Sequence, residues 1–186
     1  MGLMQTQALL ARLFTDARLR RAFFEEPVAT GMSFGLDSAE AERFAELNAR
    51  EVEDFARGLL GKRALDARKA LPLTARALGP AFDELLFEAI ELAPTRERHR
   101  ADAAALSLLL ASRRMEPLWI ADLARYEMAF VAAGRPGAFF ALRRFDWPVE
   151  EIARQLMSGA PALAAQRRRI GLWWRAPGGR LFWRVF

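Results

Sequence analysis

The apolar residues of this chain change their spacing once, and that change constrains the fold more than any other feature. From Ala8 to about Val131 they recur at the three- and four-residue intervals of amphipathic helices. After this stretch, three segments read FFALRRF, RIGLWWR and RLFWRVF, and their aromatic and β-branched content is typical of strands. The sequence therefore predicts a mainly α chain with two domains: a multi-helix body over 1–134 and a small, basic α+β unit over 135–186.

Caps and prolines predict where the helices of the body begin and end. Asp37 with Glu40 and Asn48 with Glu51 have the spacing of capping boxes, in which the first side chain accepts a hydrogen bond from the backbone N–H three residues later. Pro72 breaks or kinks the long helix that starts after Asn48. The periodicity predicts further helices over 82–92, 102–112 and 117–131.

The C-terminal unit is predicted to run strand, helix, strand, strand. A turn signal, APGG at 176–179, joins the last two strands as a hairpin, and Asp146 can cap the intervening helix. Alternation along the first hairpin strand places Trp173 on one face and Trp174 on the other. Because both faces are partly apolar, we expect one to pack on the helical body and the other to expose aromatic and arginine side chains.

The composition argues against an enzyme that works alone. The chain has 186 residues with no cysteine and one histidine, His99. Thiolate nucleophiles, iron–sulfur clusters and Cys-ligated zinc are thereby excluded, and zinc catalysis usually needs two or three imidazoles. We therefore expect no catalytic residues, no metal ligands and no cofactor in this chain.

Positive charge is concentrated near the C-terminus. Residues 135–186 hold 10 basic and 3 acidic side chains, and no carboxylate side chain follows Glu151. This asymmetry favours a polyanion or an acidic peptide as the partner of that region. An arginine-rich composition accounts for part of the signal, since only Lys62 and Lys69 are lysines among 28 basic residues.

The first residues lack the features of a signal peptide. The longest apolar stretch, Ala103 to Ala111, is much shorter than the roughly 20 residues that cross a bilayer. We therefore expect a cytoplasmic protein with no membrane contact.

Two sequence motifs match catalytic patterns without the structural context that those patterns need. Residues 31–35 read GMSFG, the G-x-S-x-G of a nucleophile elbow, but no set of parallel strands is predicted around Ser33. Residues 58–63 read GLLGKR and resemble the end of a phosphate-binding loop, but the spacing is short and the segment lies inside a predicted helix. We interpret both matches as accidental.

Arginine and tryptophan side chains cluster in the C-terminal unit, and both residue types contribute strongly to binding energy at interfaces. A hairpin with an open edge can also bind an extended peptide by strand addition. The alternative is that the tryptophans form the core of the small unit. The predicted peptide-binding residues are Arg143, Arg144, Trp173, Trp174, Arg175, Arg180, Trp183 and Arg184.

Two stretches carry a family resemblance: LPLTARALGPAFDELLFEAIELAPTR, with its turn at Pro94, and PLWIADLARYEMAFVAA. They resemble the helical partner proteins encoded beside multinuclear non-haem iron oxidative enzymes, some of which carry the label of a DNA-binding domain. The resemblance implies a role in the maturation of ribosomally made peptides (RiPPs). In such systems a TIM-barrel enzyme holds the iron and modifies a precursor peptide, while the partner binds the enzyme as a heterodimer and recruits the precursor.

Iron is accordingly expected in the partner enzyme and not in this chain. We assign Asp122, Tyr126 and Glu127 to the interface with that enzyme, although Glu127 also fits a buried acid paired with an arginine. The alternative function is a DNA-binding transcriptional regulator, because the C-terminal region is basic and a helix followed by a hairpin can act as a winged element. An unrecognised enzyme is a third reading, for which the sequence supplies no convincing base or nucleophile.

Overall fold

The computed structural model describes residues 3–92 and 99–186, so the predicted turn at Pro94 lies outside the described residues. Helices precede a three-stranded antiparallel sheet, which confirms the predicted mainly α fold with a small α+β unit. The elements are α1 (Leu3–Thr15), α2 (Ala17–Glu25), α3 (Pro27–Ser33), α4 (Ser38–Ala45), α5 (Ala49–Ala70), α6 (Pro72–Leu78), α7 (Ala81–Leu92), α8 (His99–Ser112), α9 (Ile120–Ala133), β1 (Phe139–Phe145), α10 (Val149–Met157), β2 (Arg169–Arg175) and β3 (Phe182–Val185).

The predicted caps start two helices. Asp37 and Glu40 form a complete capping box before α4: the Glu40 N–H donates to Asp37 Oδ1 at 2.8 Å, and the Asp37 N–H donates to Glu40 Oε2 at 3.1 Å. Asn48 Oδ1 accepts from the N–H groups of Arg50 and Glu51 at the start of α5. These bonds satisfy backbone donors that have no partner within the helix.

Two short helices, α3 and α6, are absent from the sequence prediction. Each begins with a proline, Pro27 or Pro72, which ends the preceding helix and then occupies the first position of the next. Proline is favoured there because its fixed φ suits a helix and its missing N–H is not needed in the first turn. Pro72 thus separates two helices and does not merely kink one.

The chain divides into two compact units, Met1–Lys62 and Arg63–Phe186. The first unit has its own core, built on residues such as Leu9, Leu13 and Phe23. This division differs from the predicted boundary at 134/135. The reason is that the strand–helix–hairpin segment does not form a core of its own: Phe145 and Trp173 belong to the same buried cluster as residues of α6 to α9.

The sheet of the second unit has the order β1-β2-β3. Its registers are fixed by the pairs Ala141 with Trp173 and Trp173 with Trp183. One face, which we call the inner face, carries these residues and packs against Tyr126 and other side chains of α9. The opposite face is called the outer face. The expected two-sided sheet, with one packed and one exposed side, is confirmed by the burial of its residues.

Candidate functional site

The two accidental motifs lie in helical segments. Ser33 is the last residue of α3, and its hydroxyl donates to the carbonyl of Thr30 at 2.7 Å. A nucleophile elbow needs a strand before its serine, whereas here a helix precedes it. Residues 58–63 lie within α5, where a helix leaves no loop to surround a phosphate.

Groups of chemically reactive side chains are sparse in the described chain. Among the side chains that the structure describes, at 3–90 and 100–186, no group of three or more Asp or Glu residues is placed to hold a metal ion. Among the helices of the same ranges, none combines the length and apolar content that a membrane span requires.

Trp173, predicted to bind peptide, is a core residue. Its ring is fully buried and makes edge-to-face contacts with Phe130 and Tyr126, at centroid distances of 5.7 and 5.9 Å. The ring also lies across Gly171, whose missing side chain makes room for it. The assignment of this ring to a peptide site is therefore corrected, since α9 occupies the space that a peptide would need.

Two further predicted binding residues are also engaged within the chain. Trp183 is 43% exposed, but its ring packs edge-to-face on Phe130 at 5.3 Å. Arg175 donates from Nε to the carbonyl of Gly137 at 2.9 Å, and from a terminal nitrogen to the carbonyl of Arg135. Arg175 thus holds the segment that leads into β1.

Glu127, predicted at the enzyme interface, is buried and anchors α6. Its two carboxylate oxygens accept from the N–H of Leu73 at 2.7 Å and from the N–H and hydroxyl of Thr74 at 2.9 and 2.6 Å. The partner is thus a helix N-terminus rather than an arginine. Burial raises the pKa of Glu127, and the hydrogen bonds from Thr74 and Leu73 oppose that shift.

Asp122 has a comparable structural role next to the sheet. Its Oδ2 accepts from the N–H of Asp146 at 2.6 Å and of Trp147 at 3.1 Å, and Arg125 contacts Oδ1 at 3.0 Å. Burial raises the pKa of Asp122 although these contacts favour the carboxylate. Asp122 therefore ties α9 to the turn between β1 and α10.

Tyr126 is buried among the aromatic rings of the inner face, and burial raises its pKa to about 12. Asp122, Tyr126 and Glu127 are each 6% exposed. Their predicted place on a docking surface is corrected, because all three are used to hold the second unit together.

The outer face is the largest group of exposed apolar side chains that the sheet presents. Cross-strand pairing arranges it in three rows: the first joins Phe140, Trp174 and Phe182, which are 68%, 48% and 63% exposed. Trp174 stacks on Phe182 with ring centroids 5.8 Å apart. The remaining rows are Leu142, Leu172 and Arg184, followed by Arg144, Ile170 and Phe186.

Two predicted arginines lie on this outer face, and they occupy its opposite margins. Arg144 belongs to β1 and Arg184 to β3, with the apolar side chains of β2 between them. Two further predicted arginines lie elsewhere: the side chain of Arg143 is on the inner face of β1, and Arg180 precedes β3. The apolar residues that β1 and β3 contribute to this face are not among the predicted peptide-binding residues. Period-two alternation along β1 could have identified Phe140 and Leu142, but the strand register could not be read from the sequence.

The free edge of β3 is a second accessible feature of the sheet. Ile170 and Phe186 exchange two hydrogen bonds, from Ile170 N–H at 3.2 Å and from Phe186 N–H at 2.9 Å. Because antiparallel ladders alternate, the main-chain groups of Trp183 and Val185 point away from β2. Within the described sheet β3 is a terminal strand, so these groups face an unpaired edge.

Comparison of the sequence with protein-family models gives no match. Comparison with curated proteins gives no match either. The resemblance to partners of multinuclear iron enzymes therefore stays a prediction from the residues quoted above.

Proposed function

We propose that this chain is a non-catalytic partner subunit that recruits a ribosomal precursor peptide to a TIM-barrel multinuclear iron enzyme. The observation that supports the proposal most is the unpaired edge of β3. An extended peptide binds such an edge as an additional strand, with main-chain hydrogen bonds supplying affinity. Trp183 and Val185 direct their N–H and C=O groups toward that position.

Charge near this edge favours an acidic peptide. Arg180 and Arg184 are exposed beside and within β3, and no carboxylate side chain follows Glu151 in the sequence. Aspartate or glutamate side chains on the incoming strand would be placed to pair with the guanidinium groups of these two arginines. Such complementarity accelerates encounter and selects among peptides more than it adds to affinity.

The mechanism is positioning. The bound chain is held beside the iron site of the enzyme, so the precursor reaches the reacting centre at a high effective concentration. The iron and the redox chemistry belong to the enzyme, and this chain supplies neither a ligand nor a proton-transfer group. The complex is proposed to be a cytoplasmic heterodimer.

A proline substitution at the edge tests the peptide site. Val185→Pro removes a main-chain donor that points away from β2, so the β2–β3 ladder keeps its bonds. Val185→Ala is the matched control, because it shortens the same side chain and keeps the N–H. We expect precursor affinity, measured by fluorescence anisotropy, to fall about tenfold or more in the proline variant only. Equal affinity in both variants would exclude strand addition at β3.

Complex formation is tested separately. The chain is coexpressed with the barrel-type iron enzyme that we expect to be encoded near its gene, and the pair is analysed by size-exclusion chromatography. Coelution as a 1:1 complex is expected. No complex at micromolar concentrations of both proteins would contradict the proposed role.

A further inference from the structure

The outer face of the sheet is a candidate contact surface distinct from the edge of β3. Sheets whose two faces are both apolar are normally covered on both sides. Here α9 side chains cover the inner face, whereas Phe140, Trp174 and Phe182 remain about half or more exposed on the other. Contiguous apolar patches of this kind mark interaction sites.

We propose that the outer face binds one amphipathic helix of a partner protein, whose apolar stripe is flanked on both sides by aspartate or glutamate. This inference rests on the proposed function for the idea that the chain acts through partners, and it adds the surface and the chemistry of that partner. It does not involve the precursor peptide.

The dimensions of the face fit a single helix. Three strands span roughly 10 Å between the axes of the outer two, and a seven-residue strand is roughly 23 Å long. A helix with its side chains is roughly 10–12 Å across, and roughly 16 residues cover that length. One helix laid along β2 would therefore cover the central side chains Ile170, Leu172 and Trp174.

The positions of the charges specify the flanks of that helix. Arg144 and Arg184 stand at opposite margins, on β1 and β3, while the middle strand contributes only apolar side chains to this face. None of the nine residues of the face is acidic. An arginine at each margin favours a partner helix with a carboxylate on each side of its apolar stripe, because a guanidinium and a carboxylate can pair through two parallel hydrogen bonds.

The same charges disfavour a second copy of this chain as the occupant. Two outer faces packed together would bring arginines against arginines with no acidic side chain on either face to compensate them. Like charges placed together at an interface disfavour association. A partner with acidic flanks removes that repulsion, so the observations favour another protein over self-association.

An unbiased selection tests the inference. A displayed library of random peptides of about 16 residues is selected on the full chain and counter-selected on Trp174→Ala. We expect enriched sequences with apolar residues at i, i+3, i+4 and i+7 and with Asp or Glu on both flanks. Synthetic versions should become helical on binding, as measured by circular dichroism.

Matched variants test whether the binders use this face. Affinity should fall about tenfold or more in Trp174→Ala and in the Arg144→Glu/Arg184→Glu double variant. It should be unchanged in Arg143→Glu, a neighbouring position on the opposite side of β1, and in Leu163→Ala, an exposed apolar residue outside the sheet. Circular dichroism of each variant establishes that it is folded.

Several results would overturn the inference. The selection could enrich peptides with alternating apolar residues or with basic flanks, or it could enrich no peptide that prefers wild type over Trp174→Ala. The enriched peptides could also bind the variants of the outer face as tightly as they bind wild type. A wild-type dimer in analytical ultracentrifugation that Trp174→Ala dissociates would assign the face to a second copy. Because the selection uses neither the iron enzyme nor the precursor, its failure leaves the proposed function to its own experiments, and the reverse also holds.

Discussion

Replacing Gly171 by alanine tests whether Trp173 belongs to the core or to a binding surface. A β-carbon at position 171 would lie 2.5 Å from Cη2 and 2.6 Å from Cζ3 of Trp173, and 3.0 Å from Cε2 of Phe145. Non-bonded carbons prefer a separation of about 3.5 Å, so the indole ring must move by about 1 Å. Trp173 is fully buried and has no solvent to move into. Overpacking of this kind costs about 1–3 kcal/mol, and the closeness of two ring atoms places Gly171→Ala in the upper half of that range.

Urea denaturation followed by far-UV circular dichroism measures this cost. A loss of about 2 kcal/mol lowers the midpoint by about 1 M at the usual slope for a small protein. Trp173→Phe lacks the two ring atoms nearest the new methyl group, so in that background the same substitution should cost at least about 1 kcal/mol less. Gly61→Ala is the control: with nothing within 4 Å of its added carbon, it should stabilise α5 by about 0.5–1 kcal/mol. A Gly171→Ala variant within about 0.5 kcal/mol of wild type, or an equal cost in both backgrounds, would refute the reasoning.

Three further predictions concern stability. Folding raises the pKa of Glu127 above its ordinary 4.5. The stability that follows from this shift is fully present below the pKa of the unfolded state and is lost as pH rises through the pKa of the folded state. The unfolding free energy of wild type should therefore fall relative to that of Glu127→Gln as pH rises above about 4.5, as measured in urea titrations. A difference between the two proteins that stays constant with pH, or that shifts in favour of wild type, would contradict this. Trp174→Ser loses the stacking on Phe182 and should cost about 0.5–1.5 kcal/mol of unfolding free energy, against about 3–5 kcal/mol for Trp173→Ala, and equal losses would refute the assignment of the two faces. Arg20→Met removes a partly buried bond to Glu53 and a buried bond to the carbonyl of Leu13. It should cost about 1–3 kcal/mol in thermal unfolding, whereas an effect below about 0.5 kcal/mol would show that these bonds are not needed.

Local signals in the sequence were sufficient to predict most of the secondary structure. The capping box at Asp37 and Glu40 forms as its spacing predicts, because both of its hydrogen bonds are local. The hairpin and the strand before it were predictable from their aromatic content and from the turn at 176–179. Pro72 was recognised as a break, but a proline that ends one helix and starts the next is indistinguishable by sequence from one that only terminates a helix.

Contacts between distant residues were not predictable in the same way. Glu127 binds N–H groups more than 50 positions earlier in the chain, so nothing in its own neighbourhood indicates that α6 would be its partner. Alternation correctly separates Trp173 from Trp174, but it does not say which of the two faces meets α9. The outer face similarly depends on the register of three strands, which places Phe140, Trp174 and Phe182 in one row.

We propose that this chain acts by holding and presenting another chain and performs no chemistry itself. The most direct test is the initial rate of precursor modification by the barrel-type iron enzyme, measured against precursor concentration with wild type, with Val185→Pro and with no added chain. We expect that wild type lowers the KM of the enzyme for the precursor at similar kcat, that Val185→Pro loses most of this effect, and that the chain without the enzyme converts nothing. Turnover by the purified chain alone, or equal KM values with wild type and Val185→Pro, would contradict it.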